Sequence, residues 1–184
     1  MILQVVKYGN PVLRAKGLEI KKADDQLQQL VADMLETMRA HHGVGLAAQQ
    51  VGVPLQITVI DVTGIEDRPS AMFIDGEPVK PEEHMPLVLL NPKLKLSAEK
   101  ETANEGCLSF PEMSAEVTRA TGVRCTAQRL DGSEFTFEAT GLLARALQHE
   151  TDHLNGVLFI DRMSSAAKAS LAGKLKRLQR EVRG

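Results

Sequence analysis

The chain has 184 residues, 43% hydrophobic and 25% charged, with a formal net charge of −2; that suits one domain with a real core and gives no general pull toward polyanions. With no Trp and one Tyr, an aromatic platform for single-stranded nucleic acid is disfavoured, and no sequence-specific nucleic-acid partner is expected. No apolar run could span a membrane and Met1–Lys7 is too short and interrupted for a signal peptide, so a cytoplasmic location is expected, where two cysteines point to metal or catalytic use before a disulfide.

In chain order, the first strong helix begins at Asp24 or Asp25, either of which can cap it. Leu27, Leu30, Val31, Met34, Leu35 and Met38 form its buried stripe, and Gly43 is expected to be its left-handed stop. A glycine-rich turn follows at Gly43–Gln50, and then Gln56–Val62 reads as a strand rich in β-branched residues. Residues 64–86 hold four prolines and several acids, so the segment is expected to be an exposed insertion with a short hairpin at Asp75–Gly76. A strand resumes at Leu87–Leu90.

Asp131–Gly132 is the best hairpin signal, joining Gly122–Leu130 to Ser133–Ala139, with Phe135, Phe137 and Ala139 alternating inward. A second helix runs from Thr140 to Gly156, and a last, amphipathic one spans Ser165–Arg183 with Leu171, Leu175, Leu178 and Val182 on one stripe. No repeat interrupts residues 1–184. The expected fold is therefore a single α+β domain with antiparallel strands gathered around the second helix.

That helix carries Gln148-His149-Glu150-Thr151-Asp152-His153. Histidines four apart share a helix face, so both imidazoles can reach one metal ion, and the intervening Glu150 can handle protons without ligating. Leu143 and Leu147 extend the histidine face, placing the ion against the core. A third ligand must come from elsewhere. Phe159 stands where a metzincin protease needs histidine, and Glu181 lies on the polar side of a basic helix. Cys107, between Gly106 and Pro111, is the better candidate, because a loop or strand edge there can aim a thiolate inward. A generic His-Glu-x-x-His metallopeptidase and a non-catalytic metal-binding protein remain as alternatives.

Three segments together, Gly43–Gln50, Glu105-Gly106-Cys107-Leu108-Ser109 and Gln148–His153, resemble the peptide deformylase family, in that family's order. The resemblance implies a metal-dependent hydrolase that removes the formyl group from N-formylmethionyl peptides. It implies Cys107, His149 and His153 as metal ligands, iron(II) as the native ion, and zinc, nickel or cobalt as replacements. It implies Glu150 as proton carrier, with the Gln50 amide and the Leu108 backbone N–H as donors to the oxyanion. Gly45 and Gly106 would let the peptide lie alongside as an added strand, while Val44, Leu142 and the His149 ring would line the methionine pocket. Three features depart from the family's pattern: Ser114 stands where some bacterial members have arginine, Arg145 where some have an aliphatic residue, and residues 64–86 are longer than in compact members. Arg145 is expected at the pocket rim or in solvent.

Blander roles suit other residues. His41 and His42 favour a helix C-terminus, His84 is expected to be solvated, and Cys125 to be a small buried hydrophobe. Asp152 cannot share the ligand face and is expected to anchor structure by pairing with Arg119. Residues 164–184 carry six basic side chains against one acid, Glu181, leaving the remainder at −7. By family resemblance this basic helix can dock on ribosomal RNA; an ordinary solvated face explains it equally well.

Overall fold

The hairpin of β8 (Gly122–Gln128) and β9 (Glu134–Thr140) is the centre from which the main sheet grows. Its register pairs Val123 with Ala139, Cys125 with Phe137 and Ala127 with Phe135, so all six face one side and are buried. A computed structural model describes residues 1–183, and in it this hairpin is extended on both sides. On one flank lie β5 (Leu87–Leu96), β2 (Ile57–Ile60) and β1 (Gly45–Ala47). On the other lie β3 (Ser70–Ile74) and β4 (Glu77–Val79), giving the seven-stranded antiparallel order β1-β2-β5-β8-β9-β3-β4. A separate two-stranded hairpin, β6 (Lys100–Cys107) and β7 (Phe110–Ala120), stands apart from this sheet.

Three α-helices complete the fold. Asp24 caps α1 (Asp25–Ala40) by accepting the Leu27 N–H at 2.8 Å, as its position suggested. The expected left-handed stop is corrected: the residue with positive φ is His42, at 56°, not Gly43. α2 (Gly141–Leu154) lies between the sheet and the β6–β7 hairpin and is enclosed on most of its circumference. Its first residue must be glycine, because Gly141 has φ +69° and a side chain there would collide with the Pro69 carbonyl. α3 (Ser165–Arg183) matches the expected span and lays Leu171, Leu175 and Leu178 on Phe110, Val117 and Phe159. The α+β arrangement around a central helix is the one expected.

The expectation for residues 64–86 fails in part. The Asp75–Gly76 turn is there, with φ of 51° and 78°, but its arms are β3 and β4, strands of the main sheet. β3 pairs with β9, and Met72 is 1% exposed in the core beside Leu143 and Phe137. His84 is half-buried and stacks on Phe135 instead of standing free. β5 also runs past Leu90, through a bulge where Asn91 takes φ 50°. If β3 belongs to the core, Met72→Ala should cost about 2–5 kcal/mol in urea unfolding. A loss below about 0.5 kcal/mol, the usual range for surface substitutions, would restore the reading of an exposed insertion.

Candidate active site

The structure brings together every site residue that the sequence nominated. His149 and His153 project from one face of α2, and Cys107 ends β6, paired with Phe110 across the two-residue turn Leu108–Ser109. The three ligand atoms offered by Cys107, His149 and His153 lie within 4.8 Å of one another, with Cys107 Sγ 3.3 Å from His153 Nε2. Thiolate and imidazole at this spacing suit a single divalent ion. The electrostatics agree. Burial acts to lower His149, but hydrogen bonds to Cys107 and Glu105 outweigh it and hold the ring well above its ordinary value, so the cluster draws positive charge. Burial pulls His153 well below its ordinary value, keeping it neutral and able to ligate.

Glu150 points into the same space. It is 3% exposed, its Oε1 has no hydrogen-bond partner, and burial pushes its carboxyl up to about 7. Gly45 explains itself here: a Cβ at that position would come within 2.6 Å of Glu150 Oε2 and 2.8 Å of its Cγ. At Gly106 the nearest atom to such a Cβ is 3.6 Å away, so packing does not demand glycine there. Gln50 is fixed at its far end, where Oε1 accepts the Ala47 N–H at 3.0 Å. Its Nε2 donates to Ser109 Oγ at 3.3 Å and Cys107 Sγ at 3.5 Å, so the amide faces the ligand cluster. A cavity of about 760 Å³ opens over these groups, lined by Val44, Gly45, Gly106, Leu108, Ser114 and Leu142 among others. Its size suits a small peptide segment.

Behind the ligands sits a group that carried no assigned role in the sequence. Glu105 accepts His149 Nδ1 at 2.8 Å, Arg119 Nε at 2.5 Å and Nη2 at 2.9 Å, and Arg145 Nη1 at 2.6 Å. Burial alone would raise its pKa, yet the bonds from His149 and Arg119 hold the carboxylate well below its usual range. The bond to Nδ1 leaves His149 Nε2 free for a ligand role. Arg145 is corrected by the same observation. It is 4% exposed, and besides Glu105 it donates to the carbonyls of Val117 at 2.8 Å and Glu101 at 3.0 Å. Its position four residues before His149, on the same helix face, was the available signal, since a buried arginine there requires a buried anion. Asp152 pairs with Arg119 at 3.0 Å as expected and also binds Arg162. Cys125 is fully buried, and burial pushes its thiol up to about 12.

A sequence profile of the polypeptide deformylase family matches residues 2–169. The chain belongs to that family. It is 50% identical over 180 residues to a peptide deformylase of Methylacidiphilum infernorum, covering 98% of this chain and 94% of that one. Among solved structures, the peptide deformylase of Ehrlichia chaffeensis superposes with a TM-score of 0.82 at 35% identity, covering 98% of each chain. That of Thermotoga maritima gives 0.75 at 37%, covering 89% of this chain and 99% of that one. The family match ends inside α3, before its basic half.

Two outcomes follow for the site. Glu105→Gln should cost about 3–5 kcal/mol near neutral pH, because it leaves two buried arginines short of an anion, and should weaken metal binding about 10–100-fold. Glu105 is held below its unfolded value, so its stabilisation is present above about pH 4.3 and fades as pH falls toward the folded value. The gap between wild type and variant should therefore narrow in acid, and a pH-independent gap in urea titrations would contradict this. Gly45→Ala should keep the metal, measured by elemental analysis, yet lose most turnover by displacing Glu150, whereas Gly106→Ala should fold and bind metal normally. Full activity in Gly45→Ala would mean that Glu150 has room to spare.

Proposed function

We propose that this chain removes the N-terminal formyl group from N-formylmethionyl peptides and releases formate, using Cys107, His149 and His153 to hold one divalent ion. The observation that carries the reading is the buried, unpartnered Glu150 Oε1 beside three convergent ligand atoms and the Gln50 amide. Family membership gives the reaction class, a metal-dependent hydrolysis of a linear amide. The donor set suits ferrous iron or zinc; we take iron(II) as the native ion, with zinc, nickel or cobalt as substitutes, and the cytoplasm as the location. Among the described residues no helix is long and apolar enough to cross a membrane.

When bound, the ion supplies Lewis acidity, which makes water a competent nucleophile near neutral pH. Glu150 takes the proton that water gives up and passes it to the departing amine as the formyl C–N bond breaks. The Gln50 Nε2 and the Leu108 N–H donate to the oxyanion, each contributing about 3–4 kcal/mol to the barrier reduction. Gln50 is held at both ends of its amide, so these donors are arranged before substrate arrives. Val44, Leu142 and the His149 ring receive the methionine side chain, and Gly45 and Gly106 let the peptide backbone lie alongside as an added strand. Ser114 lines the outer groove, where it meets later residues of the peptide.

Freshly purified, anaerobically handled protein should release formate from formyl-Met-Ala-Ser. Glu150→Gln should keep its metal and lose about 10²–10⁴ in kcat. Because the base form of Glu150 is required, kcat/KM should fall in acid, and the added cation puts that limb below the value of about 7 that burial and the neighbouring charges set in its absence. Cleavage of internal bonds in unformylated peptides, with no formate released, would favour a general metallopeptidase.

For the ribosome as a partner, α3 offers a divided surface. Leu171, Leu175 and Leu178 are buried, while Lys168, Lys174, Lys176, Arg177, Arg180 and Arg183 are exposed. We infer that this basic face meets ribosomal RNA phosphates while the leucine face holds the domain. Truncation at Lys174 would remove Leu175 and Leu178 from the core, so charge reversal is the cleaner probe. Lys174→Glu, Lys176→Glu, Arg177→Glu and Arg180→Glu together should spare tripeptide turnover, weaken co-sedimentation with ribosomes and flatten its salt dependence. Unchanged co-sedimentation would return α3 to an ordinary solvated face.

A further inference from the structure

Gln148, Thr151 and Asp152, with Asn155 just past the helix end, recur at helical spacing and form a face of α2 turned away from the one that carries Leu142, Arg145, Ala146 and His149. Against this second face lies a cavity of about 620 Å³, within the size range of small-molecule sites. Its charges are lopsided: Lys16, Lys93, Lys100, Arg119 and Arg162 line it, against Glu19 and Asp152. Arg119 is fully engaged with Glu105 and Asp152. Arg162 gives Nε and Nη2 to Asp152, and its Nη1 has no partner among the described residues. The side chains of Lys16, Lys93 and Lys100 form no hydrogen bond or ion pair among the described residues, though Asp and Glu outnumber Lys and Arg in the chain, 24 to 22. Cations drawn from three separate segments outnumber the two acids of the groove, a local positive excess that favours an anion among them.

We propose that this rear groove binds a small multivalent anion, and that its occupant acts on His149 through Arg162, Asp152, Arg119 and Glu105. The three lysines and Arg162 Nη1 supply donors, and Leu94 and Leu96 form an apolar wall. The connection is a continuous line of ion pairs. Asp152 accepts Arg162 at 3.0 and 3.1 Å and Arg119 at 3.0 Å; Arg119 in turn shares Glu105 with the Nδ1 of His149. An anion that draws Arg162 toward itself loosens one claim on Asp152 and tightens the other, on Arg119. That shifts how Glu105 divides its bonds between Arg119 and His149. Such coupling is reciprocal, so a metal at the ligand cluster also changes affinity for the anion.

The coupling rests on the proposed ligand role of His149, but the binding does not, so the two parts fail separately. Sulfate is the first probe, being a dianion that does not strip metals, and a linear bisphosphate is the second. In metal-free protein both should give saturable amide shifts at residues 16–19, 91, 93, 94 and 155, with the bisphosphate at least tenfold tighter. The pair Lys16→Glu and Lys93→Glu, both exposed and outside the catalytic groups, should weaken binding at least tenfold with an unchanged melting profile. In cobalt-loaded protein, the visible spectrum should move with the same saturation curve and stay still in the lysine variant. Shifts that track ionic strength and are matched by chloride would overturn the site. Saturable binding with a fixed cobalt spectrum would overturn the coupling.

Discussion

Everything at the centre of this molecule depends on one buried carboxylate. Glu105 accepts four hydrogen bonds, from His149, from Arg145 and twice from Arg119, in surroundings that leave it 6% exposed. An anion in such a place is tolerable only because its lone pairs are spoken for, and the arginines are tolerable only because of the anion. The arrangement joins β6, which carries Glu105, to β7, which carries Arg119, and to α2, which carries Arg145 and His149. Since Cys107 ends β6, the contact that orients the His149 ring also sets the distance between the thiol and the histidine pair. Ligand geometry and hairpin docking are thus one constraint, with Asp152 and Arg162 carrying it to the surface.

A second set of bonds steadies the groups that face substrate. The extended segment before the first helical turn runs across both functional loops. Val6 N–H donates to the Gln50 carbonyl at 2.8 Å, Tyr8 N–H to the Ser109 carbonyl at 2.9 Å, and Lys7 Nζ to the Leu108 carbonyl at 3.3 Å. Gln50 and Leu108, the two proposed oxyanion donors, come from segments 58 positions apart in the chain, and this strap bridges them. Donors held this way need no rearrangement when charge develops on the formyl oxygen. Gly45 completes the arrangement from the other side, because only a residue without Cβ lets Glu150 sit where it does.

How much of this the sequence disclosed depends on what each residue had to do. His149, His153 and Cys107 were legible because a metal site imposes spacing and residue type on its candidate ligands, and α1, α3 and the β8–β9 hairpin because burial imposes a period. The β6–β7 hairpin was not recognised as strands. Along Lys100–Cys107 only Glu105 is buried, so no apolar alternation marks it. β3 was hidden for a related reason: a segment rich in proline and acids puts a single side chain, Met72, fully into the core. Arg145 was misplaced because a lone charge on an apolar helix reads as a rim residue until its anion is known. That anion lies 40 positions away in sequence, and no local pattern connects the two.

The hydrogen-bond inventory draws attention to the same helix from an independent direction. Buried polar atoms in folded proteins are nearly always paired, and the rule holds here with four exceptions among the described side chains: Gln49 Oε1, Glu150 Oε1, Thr151 Oγ1 and His153 Nδ1. Three fall within a single turn of α2, residues 150–153, and the fourth in the turn that carries Gln50. Arg145 and Gln148, on the same helix, are satisfied several times over. The fold therefore pairs the polar groups that hold α2 in place and leaves Glu150 Oε1 unpaired beside the ligand cluster, while Thr151 lines the rear cavity. A carboxylate buried without a partner costs stability, and Gly45 keeps Glu150 confined there instead of giving it room to turn away. The cost falls on the one acid proposed to exchange protons with a substrate.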